Sequence, residues 1–416
     1  MLTDVFESAA RIEALRDGPR GTLLDAFVQA LIRAGYAPIT ARRHLRAAEH
    51  FAHWAERTGV PVAGPREPAL ERFRRHLQRP GRCPQFGHTF RPQILLGARL
   101  FLTHLHTGGL SDGAAAAPAV PRPPLITAFW EWMQQQRGTC SSTVANYEVH
   151  LRPLLARLGD EPRTWDARGL REFVLEGSRT CGWAAAKKRT TALRMFLRFL
   201  IAEGRCPSAL AGAIPILAHW RLSSLPRYLP AADVERVIAS CDRASVLGQR
   251  DRAILLLLAR VGLRAGDIVQ LRLGDIDWKA AWIHVSGKGR RETRLPLTHE
   301  VGEALSTYVT EGRPPTDADV VFVRSRAPFR AFRSHCAVSV IVDRAFARAR
   351  ITRPSRGAAH LLRHSLATSM LRHGASLQEM AAVLRHRSVT TTEIYAKVDV
   401  TALGRIAQPW PEVASC

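Results

Sequence analysis

The stretch Asp251–Val261 (DRAILLLLARV) is apolar nearly all round. A helix without a polar face must be covered on every side, so this one is predicted to be buried. It ends in Gly262-Leu263-Arg264-Ala-Gly-Asp267, where an arginine leaves the buried segment at a glycine-flanked turn. A lone buried guanidinium is too costly to keep, so Arg264 is either salt-bridged structure or a positioned anion clamp. Asp267 is spaced to orient it.

Strands follow. Trp282-Ile-His-Val-Ser alternates, Gly287-Lys288-Gly-Arg-Arg makes a glycine-rich turn, and Glu292-Thr-Arg-Leu-Pro-Leu returns, which reads as a hairpin with Lys288 at its tip. Exposed turn lysines are usually solvated, but this chain has only five lysines, so a glycine-flanked one stands out. Helices are predicted over 300–310 and 335–350, with an edge strand at Val320–Val323 between them.

The stretch from His360 to Tyr395 reads as three helices. The first carries Leu361, Leu362, Ser365, Leu366, Ser369 and Met370 at helical spacing and stops at Gly374. The second opens with Ser376-Leu-Gln-Glu379, a capping box, and the third with Thr390-Thr-Thr-Glu393, which puts Tyr395 in a short capped helix. His360 and Arg363 share one helix face. With 16 histidines and 55 arginines in 416 residues, roughly two His-x-x-Arg pairs arise by chance. Three occur: His76/Arg79, His88/Arg91 and His360/Arg363. The spacing from His386 to Tyr395 also recurs, at His219/Tyr228 and His299/Tyr308. Only the last cluster combines both elements between capped helices, and a phenol, imidazoles and a guanidinium gathered there suit attack on a phosphodiester.

The first half of the chain is helical throughout. Leu23, Leu24, Phe27, Leu31 and Ile32 define one amphipathic helix, and Leu45, Ala48, Phe51, Ala52 and Trp54 another. A third runs through Leu70, Phe73 and Leu77, and Ile94–Leu105 closes a unit spanning 1–106. Residues 107–124 are small and Gly/Pro-rich, a linker. Residues 125–203 echo the preceding theme: Phe129-Trp-Glu-Trp-Met matches Phe27-Val-Gln-Ala-Leu, and Phe196–Gly204 matches Leu100–Gly108. This reads as a weak duplication of one small helical DNA-binding unit, although amphipathic helices resemble one another anyway. The second copy carries Lys187, Lys188, Arg189, Arg194 and Arg198, which would meet phosphates on a helix entering a groove and mean nothing on a solvated face. Residues 204–227 form a second linker, 228–400 the larger domain, and 401–416 a tail.

Formal net charge is +24 and the isoelectric point is near 11.1. That field fits a polyanionic partner, with an arginine-rich coding bias as the bland alternative. The seven cysteines are scattered and include no Cys-x-x-Cys pair, which argues against a zinc ribbon and a disulfide framework. His360 and His364 have the spacing of a zinc helix, but Leu361 stands where the HExxH glutamate would be. No apolar segment is long enough for a membrane or export signal, and a reduced, cytoplasmic chain is expected.

In order, Gly262-Leu263-Arg264-Ala-Gly-Asp267, Lys288 in its hairpin, His360-Leu-Leu-Arg363-His364, Leu384-Arg-His386 and Thr391-Thr-Glu-Ile-Tyr395 resemble the tyrosine recombinase (phage integrase) family. The resemblance covers about 226–400, and 125–203 is similar to that family's helical core-binding domain. Residues 1–106 resemble a second copy of it. The family has glycine where this chain has Arg385, whose side chain becomes a candidate phosphate contact.

The resemblance implies a mainly α chain with a small antiparallel β-sheet in the catalytic domain (α+β) and helical DNA-binding domains before it. It implies Tyr395 as nucleophile and Arg264 and Arg363 as clamps on the non-bridging oxygens. Guanidinium suits that role because its planar fork is always charged. His360 is then a proton-transfer group or phosphate hydrogen-bonder, His386 a further hydrogen-bond donor, Lys288 the leaving-group acid, and Asp267 their support. Neither a metal nor a nucleotide cofactor is required. The implied activity is site-specific recombination through a 3′-phosphotyrosine, serving a mobile element or chromosome or plasmid resolution. Its partners would be double-stranded DNA and other protomers in a DNA-bound tetramer, with accessory recombinases as further candidates. A type IB-like topoisomerase and a non-catalytic DNA-binding protein on the same fold are the competing readings.

Overall fold

The computed structural model describes residues 2–18, 21–61, 66–78, 86, 92–108, 122–179, 181–217, 225–286, 292–352, 357–386 and 388–398. The chain divides into two compact units, one formed by 1–115 with 224–416 and the other by 116–223.

In the first unit, α1 (Ala9–Arg16) precedes α2 (Gly21–Arg33), α3 (Pro38–Arg57), α4 (Arg66–Leu77) and α5 (Pro92–Thr107), and the last four realise the amphipathic periodicities read from the sequence. Their apolar faces close on one core containing Phe27, Leu45, Phe51, Phe73 and Phe101. Phe27 of α2 meets Phe101 of α5 edge-on, with ring centroids 5.3 Å apart. This bundle is seated on the loop before α14 (Cys336–Arg348): the Phe329 N–H donates to the Ala34 carbonyl at 3.2 Å.

The second unit contains α6 (Pro124–Gln135), α7 (Ser141–Leu158), α8 (Ala167–Arg179) and α9 (Trp183–Ala202). Here Phe129 of α6 meets Phe196 of α9 edge-on at 5.2 Å. Each bundle thus has one such aromatic pair between an early helix and its last helix.

The C-terminal part of the first unit is layered on α11 (Val246–Ala259), preceded by α10 (Ala231–Ala239). Residues Ala253–Leu258 of α11 are all buried, as its sequence requires. The helix opens on a buried ion pair between neighbours Arg250 and Asp251 at 2.7 Å. After Gly262, at φ +69°, the chain turns so that Arg264 caps α12 (Ala265–Gln270). A Cβ on Gly262 would also meet the Leu366 side chain at 2.9 Å, so both conformation and space select glycine.

A meander of β1 (Ile276–Asp277), β2 (Trp282–Ser286) and β3 (Glu292–Pro296) pairs antiparallel in the order β1-β2-β3, with Ile283 opposite both Ile276 and Leu295. Ile283, Val285 and Leu295 point into the core. The expected strand at Val320–Val323 forms instead as two isolated bridges, Arg272 with Val320 and Val323 with Ala331, because its backbone is shared between two different partners. Past α13 (His299–Thr307) and α14, α15 (Ala358–Arg372) packs across α11 and ends at Gly374, at φ +86°. Ser376 and Glu379 then close the predicted capping box on α16 (Leu377–Val383). The chain is therefore mainly helical with one small antiparallel sheet. Among the described residues no helix is long and apolar enough to cross a membrane.

Candidate active site

Arg264 sits on the turn after α11, His360, Arg363 and His364 on α15, and Arg385 and His386 just past α16. Tyr395 follows in a 3₁₀ helix, Glu393–Val398, not in the α-helix expected of a Thr390 cap. Ser388 caps a separate 3₁₀ turn before it, Val389–Thr391, its hydroxyl accepting from the Thr390 N–H at 3.2 Å.

Arg363 is buried and donates to the carbonyls of Gly262 and Leu384. Arg264 donates to the carbonyls of Leu384, at 3.3 Å, and Arg385, at 2.9 Å. The free carbonyls at the C-terminal end of α16 thus hold both guanidiniums. Burial, then the charges of Arg264 and Arg385, pull Arg363 down to about 10, which still leaves it protonated at neutral pH. Arg264 is lowered by partial burial and then by Arg385.

Asp267 does not orient the Arg264 guanidinium as its spacing suggested. Its carboxylate accepts from the Arg264 backbone N–H at 3.0 Å, capping α12, and pairs with the Arg385 side chain. The reason is that a carboxylate three residues into a helix reaches back to the N-cap N–H. Arg385 adopts φ +51°, a left-handed conformation at the end of α16, which explains why glycine suits this position. Its Nε and Nη1 are buried without hydrogen-bond partners.

Burial pushes the Tyr395 phenol up to about 12 against the opposing pull of Arg363. Its hydroxyl lies 2.5 Å from Nδ1 of His364. His386 Nδ1 lies 2.8 Å from the Thr392 hydroxyl. His364 is held near 4 by burial and then by His360 and Arg363; His386 is held near 4 by burial, Arg363, Arg264 and His364. His360 is lowered by packing around its ring, then by Arg363, Arg264 and His335. At neutral pH the site therefore offers fixed positive charge from arginine, neutral imidazoles and one protonated phenol. That inventory can neutralise a phosphodiester and attack it.

Residues 227–401 match the phage integrase family. A protein of Sinorhizobium fredii that carries the name integrase/recombinase y4rA is 37% identical over 407 residues, covering 95% of each chain. The chain belongs to the phage integrase family. The tyrosine recombinase XerD of Lacticaseibacillus casei is 29% identical over 65% of this chain and 92% of its own. The fold is that of a solved XerH site-specific recombinase bound to its difH substrate (TM-score 0.55, 20% identity, 69% of this chain and 85% of that one).

In this integrase-family chain Arg264, His360, Arg363, His386 and Tyr395 come together. Lys288 lies outside the described residues. Lys187, Lys188, Arg189, Arg194 and Arg198 all fall on α9 of the second unit. Lys187, Lys188 and Arg198 are exposed, whereas Arg194 donates to the Pro215 carbonyl at 3.0 Å and Arg189 lies over the Phe173 ring. Two site residues escaped the sequence reading. Thr392, fully buried, is the partner of His386, and His364, present in the motif and as half of a zinc pair but given no role in the chemistry, contacts the phenol. The signal for His364 was its place beside Arg363, on the helix that faces Tyr395.

Proposed function

We propose that this enzyme is a site-specific DNA recombinase. Tyr395 attacks the scissile phosphorus; the new phosphorus–tyrosine oxygen bond replaces the bond to the 5′ oxygen, and the 5′ hydroxyl is released. Attack by a 5′ hydroxyl from another strand reverses the step and rejoins the DNA. The observation that supports this reading is the convergence of Arg264 and Arg363 on one acceptor beside the Tyr395 phenol. In the reaction both arginines donate to the phosphate's non-bridging oxygens, whose charge rises in the transition state. His360 and His386 donate to the same phosphate, Asp267 fixes the turn that carries Arg264, and Lys288 protonates the leaving 5′ oxygen.

Each chain supplies one such phenol, and exchange between two duplexes breaks four strands, so four protomers assemble on the DNA. The helical units 1–106 and 125–203 bind duplex through their basic faces, with Lys187, Lys188 and Arg198 of α9 on phosphates and Arg189 and Arg194 placing the helix. The enzyme works in the cytoplasm at the nucleoid, on a mobile element or in chromosome or plasmid resolution, with accessory recombinases as possible partners. The test uses two differently marked duplexes carrying the bound site. Recombinant joints are the expected product; loss of supercoils without joints would make the enzyme a topoisomerase, and binding without covalent adduct would make it a scaffold.

A further inference from the structure

Among the described residues, the phenol that must lose a proton is hydrogen-bonded to one base, and it is not a member of the expected set. His386 Nδ1 is engaged with Thr392 at 2.8 Å, and His360 lies a helical turn away, its ring centroid 6.5 Å from that of His364. His364 Nδ1 lies 2.5 Å from the Tyr395 hydroxyl, with the rings 5.6 Å apart. We infer that His364 is the general base for Tyr395: its Nδ1 accepts the phenol hydrogen bond in the resting enzyme and the phenol proton during cleavage. This rests on the proposed strand-cleavage reading.

That role requires one tautomer. An imidazole that accepts at Nδ1 carries its proton on Nε2, so His364 must be neutral with Nε2–H. In cleavage the Tyr395 oxygen bonds to phosphorus, the phosphorus–O5′ bond breaks, the phenol proton moves to His364 Nδ1, and the 5′ oxygen takes a proton from the acid assigned to Lys288. In rejoining the 5′ hydroxyl attacks phosphorus and gives its proton back to the group that supplied it, the phosphorus–phenol oxygen bond breaks, and His364 returns its proton to the departing phenolate.

The charged and titratable groups facing His364 are His360 and Arg363 from its own helix, His386 from the turn after α16, and Tyr395. They and the surrounding burial keep the ring neutral while no anion is bound. An arriving phosphodiester offsets the Arg363 charge and raises the basicity of the ring when a base is needed. The hydrophobic cluster of Ala367, Met380 and Leu384 around Tyr395 leaves this hydrogen bond as the phenol's polar anchor.

The experiment has two arms, both on the full chain. First, ¹⁵N spectra of the histidine rings without DNA should show His364 protonated on Nε2, with an Nδ1 resonance that shifts in Tyr395→Phe. An Nδ1-protonated ring that ignores Tyr395→Phe overturns the inference. Second, duplexes selected from a random pool by wild-type binding are nicked beside the cleaved phosphate, and adduct formation is followed in a single turnover. His364→Asn keeps an acceptor near Nδ1 but cannot take a proton. It should bind DNA as wild type does and cleave roughly a hundredfold or more slowly, and the acidic limb of the pH profile, on which the rate rises as the base loses its proton, should be lost. His364→Gln, which places its amide nearer Nε2, should be at least as slow. Wild-type rates and pH profile in either folded variant overturn the inference. If wild type forms no adduct on any selected duplex, the cleavage reading falls instead, and the spectra alone decide the tether.

Discussion

Arg264 and Arg363 donate to the same acceptor, the main-chain carbonyl of Leu384. One guanidinium arrives from the turn after the buried helix α11 and the other from α15. A single carbonyl at the end of α16 therefore fixes their separation. An incoming phosphate with two non-bridging oxygens meets a pair of cations already brought together, so little reorganisation is left for the reaction.

The two arginines should respond differently to truncation. Each to alanine should lower adduct formation by roughly 10²-fold or more, about 3 kcal/mol of transition-state stabilisation. Arg363→Ala should also lower the unfolding midpoint, because it leaves the buried Gly262 and Leu384 carbonyls short of a donor. Arg264, half-buried, should change it less. Single-turnover cleavage and urea denaturation separate the two effects. Equal defects in His76→Ala with saturating DNA would mean that another His-x-x-Arg pair is the site.

Arg385 should be replaced more easily by glycine than by alanine. Both changes remove the ion pair with Asp267, but only glycine adopts φ +51° without strain. Arg385→Gly should be the more stable variant by about 1 kcal/mol. Urea midpoints of the two variants check this, and equal stability would show that the turn relaxes.

Acid should weaken the fold before the carboxylates titrate. His50, His364 and His386 are each depressed to about 4 from an ordinary value of 6.5. The unfolded chain then binds more protons between those values. Stability is complete above about pH 6.5 and declines as pH falls toward 4. The slope is at most about 1.4 kcal/mol per pH unit for each histidine, and smaller for the partly exposed His364 and His386. Urea midpoints at about pH 7.5 and about pH 5 measure the loss. His50→Phe, in the aromatic pocket where the ring stacks on Phe86 at 4.4 Å, should flatten part of it.

Lys288→Ala should be nearly inactive on ordinary DNA and recover most of its rate on a substrate with sulfur as the bridging 5′ atom. A thiolate leaves without a proton, whereas a 5′ alkoxide does not. Arg264→Ala should not be rescued, because it acts on the other oxygens. Single-turnover cleavage of both substrates decides, and equal rescue of the two variants would leave the acid unassigned.

Local chemistry made much of this legible in the chain itself. An all-apolar helix had to be buried, the Ser376–Glu379 box had to start a helix, Gly374 had to end one, and alternating Trp282–Ser286 had to be a strand. The ordered set from Arg264 to Tyr395 carried the family. Only the tertiary structure could decide what each polar group touches. Asp267 turned to Arg385 because the two are brought together across 118 residues, while its neighbour Arg264 swung to the end of α16. His364 became the phenol's partner because α15 packs against the Tyr395 turn, a contact that helical spacing cannot encode. Periodicity records which face of an element is apolar; the partner of a charged side chain depends on distances between elements, and those exist only once the core has closed.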